Sequence, residues 1–226
     1  MAFGESSGGF GGKKKKAPTY RDRPPADRTR KSWLPVPEDP DAEPLPLTED
    51  QHAKLLARAT NLCVWHLSQS GKTRKQLSES MRKHEVPDDI QDAVLDRLTE
   101  LRLVDDEAFA VSFAASRHEY RRMGSGAIRQ SLRQKGIDDE AITVAMEGID
   151  PEAEAANART LVDRKLRSTQ GLDRNKRTQR LVGMLTRKGY NMGLSFQVIK
   201  EALEAEAEQV EAEQAEADRA EQAERA

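Results

Sequence analysis

Cysteine is almost absent from this chain: Cys63 is the single example in 226 residues. An internal disulfide is thereby excluded, as is a zinc site built on a cysteine pair, and the usage is that of a reducing cytoplasm. A small core residue is the expected role of Cys63. Aromatic residues make up 4% of the chain, which is little for a protein that stacks successive nucleic-acid bases. No apolar run approaches the roughly 20 residues needed to cross a bilayer. The N-terminus, Gly-rich ahead of Lys13 to Lys16, lacks the apolar stretch of a signal peptide. A soluble cytoplasmic protein is expected. With 36% hydrophobic against 34% charged residues, part of the chain must remain solvated.

Chemical motifs are scarce as well. Gly124-Ser125-Gly126 lacks the Lys-Ser/Thr of a phosphate-binding loop and follows no strand, so it reads as a plain loop. His52, His66, His84 and His118 have neither paired i, i+4 spacing nor a Cys or Glu companion at zinc spacing. Asp105-Asp106 stands without a second acidic cluster, which makes it a helix cap rather than a metal site. No Ser, His and acid grouping suggests nucleophilic catalysis. The expectation is a non-enzyme with no catalytic residues, metal or cofactor.

A repeat is present instead. Leu77-SES-Met81-RKHE-Val86, Ile128-RQS-Leu132-RQKG-Ile137 and Leu181-VGM-Leu185-TRKG-Tyr190 align at spacings of 51 and 53 residues. Each is a short helical stretch ending in basic residues, then a turn, then an apolar residue. Such a period means an array of small helical units rather than one enclosed core. The first unit carries Lys83-His84-Glu85 where the others carry Lys-Gly, so a left-handed cap is in doubt there.

Helical signals fill the region between the termini, with no alternating β-branched pattern to compete. Thr48-x-x-Gln51 and Thr73-x-x-Gln76 fit capping boxes. Pro87, Asp105, Asp138 and Asp150-Pro151 open further helices. Inward positions include Leu55, Ala59, Leu62, Ile90, Val94, Leu98 and Leu101, with Phe109 and Phe113 as core of the next unit. The expected fold is all-α: an elongated tandem array of three three-helix repeats, about nine helices in all, with joints that bend most easily. Its parts are a disordered basic, Pro-rich arm (1–47), repeats at 48–104, 105–149 and 150–203, and an acidic Ala/Glu-rich helical tail (204–226).

Charge is distributed unevenly beneath a net of -2. Residues 1–31 hold nine basic and three acidic side chains, whereas 201–226 hold two basic and ten acidic ones. Arg121, Arg122, Arg129, Arg133 and Lys135 follow one another without an intervening acid. Residues 159–188 hold ten basic against two acidic side chains, among them Arg174, Arg177, Arg180, Arg187 and Lys188. Such a face attracts a polyanion, or a groove containing one; the plain alternative is solvated helix surface. Arg129, Arg133, Arg177 and Arg180 head the contact candidates because guanidinium forks onto carboxylate or phosphate. Lys135 and Lys188 serve equally well as covers for helix C-termini.

Leu103-Val-Asp-Asp-Glu-Ala-Phe-Ala110 with Arg117, then Arg122-x-Gly124-xxx-Ile128-xxx-Leu132-xx-Lys135-Gly-Ile137, then Arg187-Lys-Gly-Tyr190 together resemble the RecX family of bacterial recombination regulators. The likeness spans residues 50 to 203. It implies three tandem three-helix repeats and binding to the RecA recombinase filament, inhibiting its extension, ATPase and recombination activities in DNA repair; a monomer is expected because the tail, with little apolar beyond Leu203 and Val210, lacks a coiled-coil heptad pattern. Direct, sequence-independent binding to single- or double-stranded DNA is the alternative the basic face leaves open. The basic arm and acidic tail are not part of the resemblance.

Overall fold

In the computed structural model, which describes Trp33 and residues 47–225, nine α-helices follow one another with no strand among the described residues. They are α1 Glu49–Gln69, α2 Arg74–Arg82, α3 Asp88–Glu100, α4 Asp106–Arg121, α5 Ser125–Gln134, α6 Asp139–Glu147, α7 Pro151–Leu166, α8 Arg174–Lys188 and α9 Met192–Glu224. A 3-10 turn, Arg167–Thr169, joins α7 to the loop before α8. The chain is an all-α tandem array of three three-helix repeats. The expected disorder of the arm lies outside the described residues, except that Trp33 and Leu47 are both packed against the first core.

Local chemistry sets the helix starts. Thr48 and Thr73 form full capping boxes with Gln51 and Gln76, so each satisfies backbone donors that the helix itself cannot. Asp105, Asp138, Asp150, Asp173 and Asn191 each accept a backbone N–H of the helix they precede. Pro87 precedes α3 with no side-chain cap, and Asp88 and Asp89 supply negative charge to its first turn instead. Gly124-Ser125-Gly126, read above as a loop, is the cap and first turn of α5; its glycines serve close packing, described below.

Each repeat buries its own core. Leu55, Ala59 and Cys63 of α1 meet Leu77 and Met81 of α2 and Ile90, Val94, Leu95 and Leu98 of α3. Burial pushes the Cys63 thiol up to about 11, which keeps it protonated and unreactive. The aligned trios Leu77/Met81/Val86, Ile128/Leu132/Ile137 and Leu181/Leu185/Tyr190 are all at most 5% exposed: the repeat in the sequence is the repeat of the core. Leu101, expected inward, is half exposed. Its helix stops at Glu100 and Arg102 turns the chain with φ 56. Val104 is thereby delivered to the core in its place, with its N–H donated to the Leu98 carbonyl.

The left-handed turn doubted in the first repeat is present. Glu85 has φ 56, at the position where Gly136 (φ 84) and Gly189 (φ 90) stand in the other two. Glycine is required at those two for a second reason, because the preceding repeat presses on them. A Cβ on Gly136 would come within 2.5 Å of the Lys75 side chain, and one on Gly189 would fall against Ala127.

The two joints are built alike. In the first, Thr73 Oγ1 donates to the Lys135 carbonyl at 2.7 Å and the Arg74 N–H donates to Asp106 Oδ1 at 2.9 Å. In the second, the Gly124 N–H donates to the Lys188 carbonyl at 2.9 Å, the Gly126 N–H to the Gly189 carbonyl at 3.0 Å, and the Ser125 N–H to Glu154 Oε1 at 2.7 Å. Thus the start of the middle helix of one repeat sits on the end of the middle helix of the next. These bonds close the joints that the sequence marks as the places to bend.

The C-terminal end departs from this plan. α9 runs for 33 residues, about 50 Å at the usual rise, with its first turns packed through Val198, Ile199, Ala202 and Leu203. From Glu204 onward it is almost wholly exposed. The helix therefore continues well past its packed part, as its Ala/Glu composition favours.

Candidate interaction surface

The basic residues fall into three settings. Along α8, Lys176, Arg180 and Arg187 recur four and seven residues apart and are exposed, while Leu181 and Leu185 face the core. Helical periodicity therefore puts the three cations on one outer stripe. None of them is ion-paired among the described residues, and neither is Arg174, Arg121 or Arg129. The first turn of α8 holds cations and no acid, against the preference of the helix dipole, which disfavours each by about 0.3–1 kcal/mol. Asp173 at the cap offsets part of that charge, and the exposed stripe stays cationic.

At the second joint, three candidates converge. Lys188 Nζ donates to the Arg121 carbonyl at 3.2 Å, covering the end of α4. Tyr190 Oη donates to the Arg122 carbonyl at 3.0 Å. Arg122 is itself left-handed at φ 46, and its Nε is buried without a partner. Arg121 is exposed and adds to the cluster. Arg129 and Arg133 lie one turn apart on α5, with Arg133 Nε 2.8 Å from Asp139 Oδ1 in an exposed pair that contributes little.

Two candidates are placed differently from what the sequence suggested. Arg177 turns inward: its Nη2 pairs with Glu206 Oε2 at 2.5 Å, with side-chain exposures of 16% and 22%, and its Nε donates to Thr169 Oγ1. We therefore remove it from the contact set. Lys135, at the far end of α5, lies 5.7 and 5.3 Å from the ring centres of Phe109 and Phe113. Its ammonium is held below the usual range by burial first, then by Arg117 and Lys72. Phe109 and Phe113, expected as core, are only partly buried. They line a cleft of about 620 Å³ between the first two repeats, with Lys72, Arg117 and Tyr120 on its walls. The spacing of Phe109, Phe113, Arg117 and Tyr120 by four, four and three residues puts them on one face of α4, a signal the sequence reading did not use. Lys72, contributed by a loop, had no such signal.

No group of three or more His, Cys, Asp or Glu side chains among the described residues is placed to hold a metal ion, and no described helix is long and apolar enough to cross a membrane. Fold and surface together define a solenoid of three-helix units with a cationic outer flank. Residues 105–146 match the second three-helix domain of RecX and residues 152–199 the third. The regulatory protein RecX of Thermobifida fusca is 42% identical over 152 residues, 67% of this chain and 82% of that protein. The one from Streptomyces coelicolor is 44% identical over 151 residues, 67% and 80% of the two chains. A crystal structure of a regulatory protein RecX superimposes with a TM-score of 0.62 at 27% identity, covering 71% of this chain and 82% of that one. The crystal structure of RecX from Lactobacillus salivarius gives the same TM-score at 21% identity, over 66% and 97%, a likeness of fold. The chain belongs to the RecX family.

Proposed function

We propose that this chain is a cytoplasmic, monomeric regulator that binds the RecA recombinase filament along its groove and restrains filament extension, ATPase and recombination, acting in DNA repair without catalysis of its own. The relatives at about 40% identity carry the name regulatory protein RecX, and membership of that family supports the reading. The observation that carries it is the row of unpaired cations on α8, continued by Arg121, Arg122 and Lys188 at the second joint. An extended body of linked units with several modest contacts gains affinity for an assembled lattice through effective concentration. It therefore prefers filament to free subunit.

The test is RecA's DNA-dependent ATPase and filament length with the chain added below equimolar ratio. Inhibition that weakens with rising salt is expected. Absence of inhibition at low salt overturns the proposal. The second reading, direct sequence-independent DNA binding, rests on the same α8 stripe; tight binding to single-stranded DNA without RecA would favour it.

A further inference from the structure

The cleft between the first two repeats has chemistry unlike the rest of the basic flank. Its walls come from Leu67, Lys72 and Leu103 of the first repeat and from Phe109, Phe113 and Arg117 on the first helix of the second. Leu103 is 51% exposed. Lys72, Arg117 and Arg121 line it and Lys135 stands beside the two rings, and none of these four pairs with a carboxylate among the described residues. The one acid on the wall, Asp105, is engaged: it accepts the Ala108 N–H at 2.8 Å and lies 3.6 Å from Arg102. Excess positive charge around a concave, partly apolar floor concentrates positive potential. An anionic group is what such a rim lacks, and a large apolar group is what such a floor lacks.

We infer that this cleft is a docking site for an acidic segment of a partner protein, in which one large apolar side chain enters the floor and flanking carboxylates meet the cationic rim. The size agrees, since about 620 Å³ lies within the range of ligand-holding pockets and a single aromatic or aliphatic anchor seated in a pocket is the usual centre of a protein contact. Ser112 and Ser116, on the same wall, offer hydroxyls to the entering backbone. Nucleic acid fits less well, because the ring faces that would take a base are already occupied. Phe109 and Phe113 lie face to face at 5.7 Å, with Arg117 4.8 Å above Phe113 and Lys135 beside both. Tyr120, 73% exposed at the edge, is the one ring left for stacking.

The site shares Arg121 with the basic flank but none of the α8 cations, so it is tested on the full chain alone. The probes are a short fluorescein-labelled peptide of Asp and Glu around one central Trp, the same peptide with Ser in place of Trp, and oligothymidylate of matching length. Fluorescence anisotropy should show the Trp peptide binding at least roughly tenfold more tightly than the Ser peptide. Lys72→Glu and Ser116→Trp, the first reversing rim charge and the second filling the floor, should each weaken it by a similar factor. Arg180→Glu with Arg187→Glu should leave it unchanged. Circular dichroism establishes that each variant is folded; Lys72, in a loop, serves should Ser116→Trp disturb α4. Equal binding of the two peptides, no binding of the Trp peptide, loss on reversing the α8 pair, or preferential capture of oligothymidylate sensitive to Lys72→Glu would each overturn the inference.

Discussion

The backbone N–H of Trp33 donates to the carbonyl of His84 at 3.0 Å, and the two rings stack with centroids 4.3 Å apart. His84 occupies the position that Lys135 and Lys188 hold in the later repeats, whose carbonyls accept from Thr73 and Gly124. Trp33 therefore sits where the middle helix of a preceding repeat would sit. At the other end, Arg177 aligns with Thr73 and Gly124, and its guanidinium is covered by Glu206 of the long α9. An array of repeats needs both exposed ends closed. Here one tryptophan closes the first and one ion pair closes the last.

Trp33→Ala should accordingly loosen the first repeat and leave the third untouched. Loss of the stack costs about 0.5–1.5 kcal/mol. Hydrogen exchange at Lys83–Val86 should accelerate several-fold, with the amides of α8 unchanged. Equal acceleration at both ends would show that Trp33 does not act as a local cap.

The glycines of the second joint predict a graded series. A Cβ on Gly124 would lie 2.5 Å from the Gly189 carbonyl carbon and the Tyr190 nitrogen, both backbone atoms that cannot swing aside. Gly124→Ala should destabilise by about 1–3 kcal/mol through overpacking, and urea unfolding should broaden as the third repeat uncouples from the second. Gly171, with φ 80 and open space around it, is the control. Gly171→Ala carries only the left-handed penalty of about 1 kcal/mol and should keep a single transition.

The opposite sign is expected one repeat earlier. Glu85 holds φ 56 without the glycine that its counterparts have. Glu85→Gly relieves a left-handed strain of about 1–2 kcal/mol but adds backbone freedom to the unfolded chain. The balance should be a gain of about 0.5–1 kcal/mol, seen as a higher midpoint in thermal unfolding.

The series also shows what was legible in the sequence. The 51- and 53-residue spacing located every core trio, because burial of Leu77, Ile128 and Leu181 is dictated by helical period within each unit. The caps were equally legible, since Thr48, Thr73 and Asp105 act on backbone a few residues away. What pairs across repeats was not. The pressure of Gly124 on Gly189 across the joint, and the inward turn of Arg177 toward Glu206 on the extended last helix, depend on residues 65 and 29 positions apart, and no local pattern announces them. Phe109 and Phe113 were misplaced for the same reason: their apolarity signals a core, but whether a neighbouring repeat covers them is settled by the angle of the joint.

Tyr190 links that second joint to pH. Burial, and then Glu154, pushes its phenol up to about 12 against a partial pull from Arg122. The folded protein thus holds the phenolic proton more tightly than the unfolded chain does, whose tyrosines titrate near about 10. The stability so contributed is complete below pH about 10 and is lost as pH rises through about 12. Tyr190→Phe removes the donor to the Arg122 carbonyl and should cost about 1–3 kcal/mol at neutral pH. The gap between wild type and variant should then close between pH 10 and 12; a constant gap would show that the hydroxyl does not titrate as part of the joint.

Charge reversal separates surface from scaffold on α8. Arg180 and Arg187 are exposed and unpaired, whereas Arg177 is mostly buried against Glu206 and Thr169. Arg177→Glu would set two carboxylates together in a partly desolvated site and should destabilise by about 3 kcal/mol or more, lowering the thermal midpoint. Arg180→Glu with Arg187→Glu should stay within about 0.5 kcal/mol of wild type, yet weaken RecA filament binding and flatten its dependence on salt. Restoring Arg177→Glu by Glu206→Arg should recover stability, because the pair is only inverted. The same exchange should do nothing for the exposed double variant, whose missing charges belong to the outer face proposed above as the filament contact.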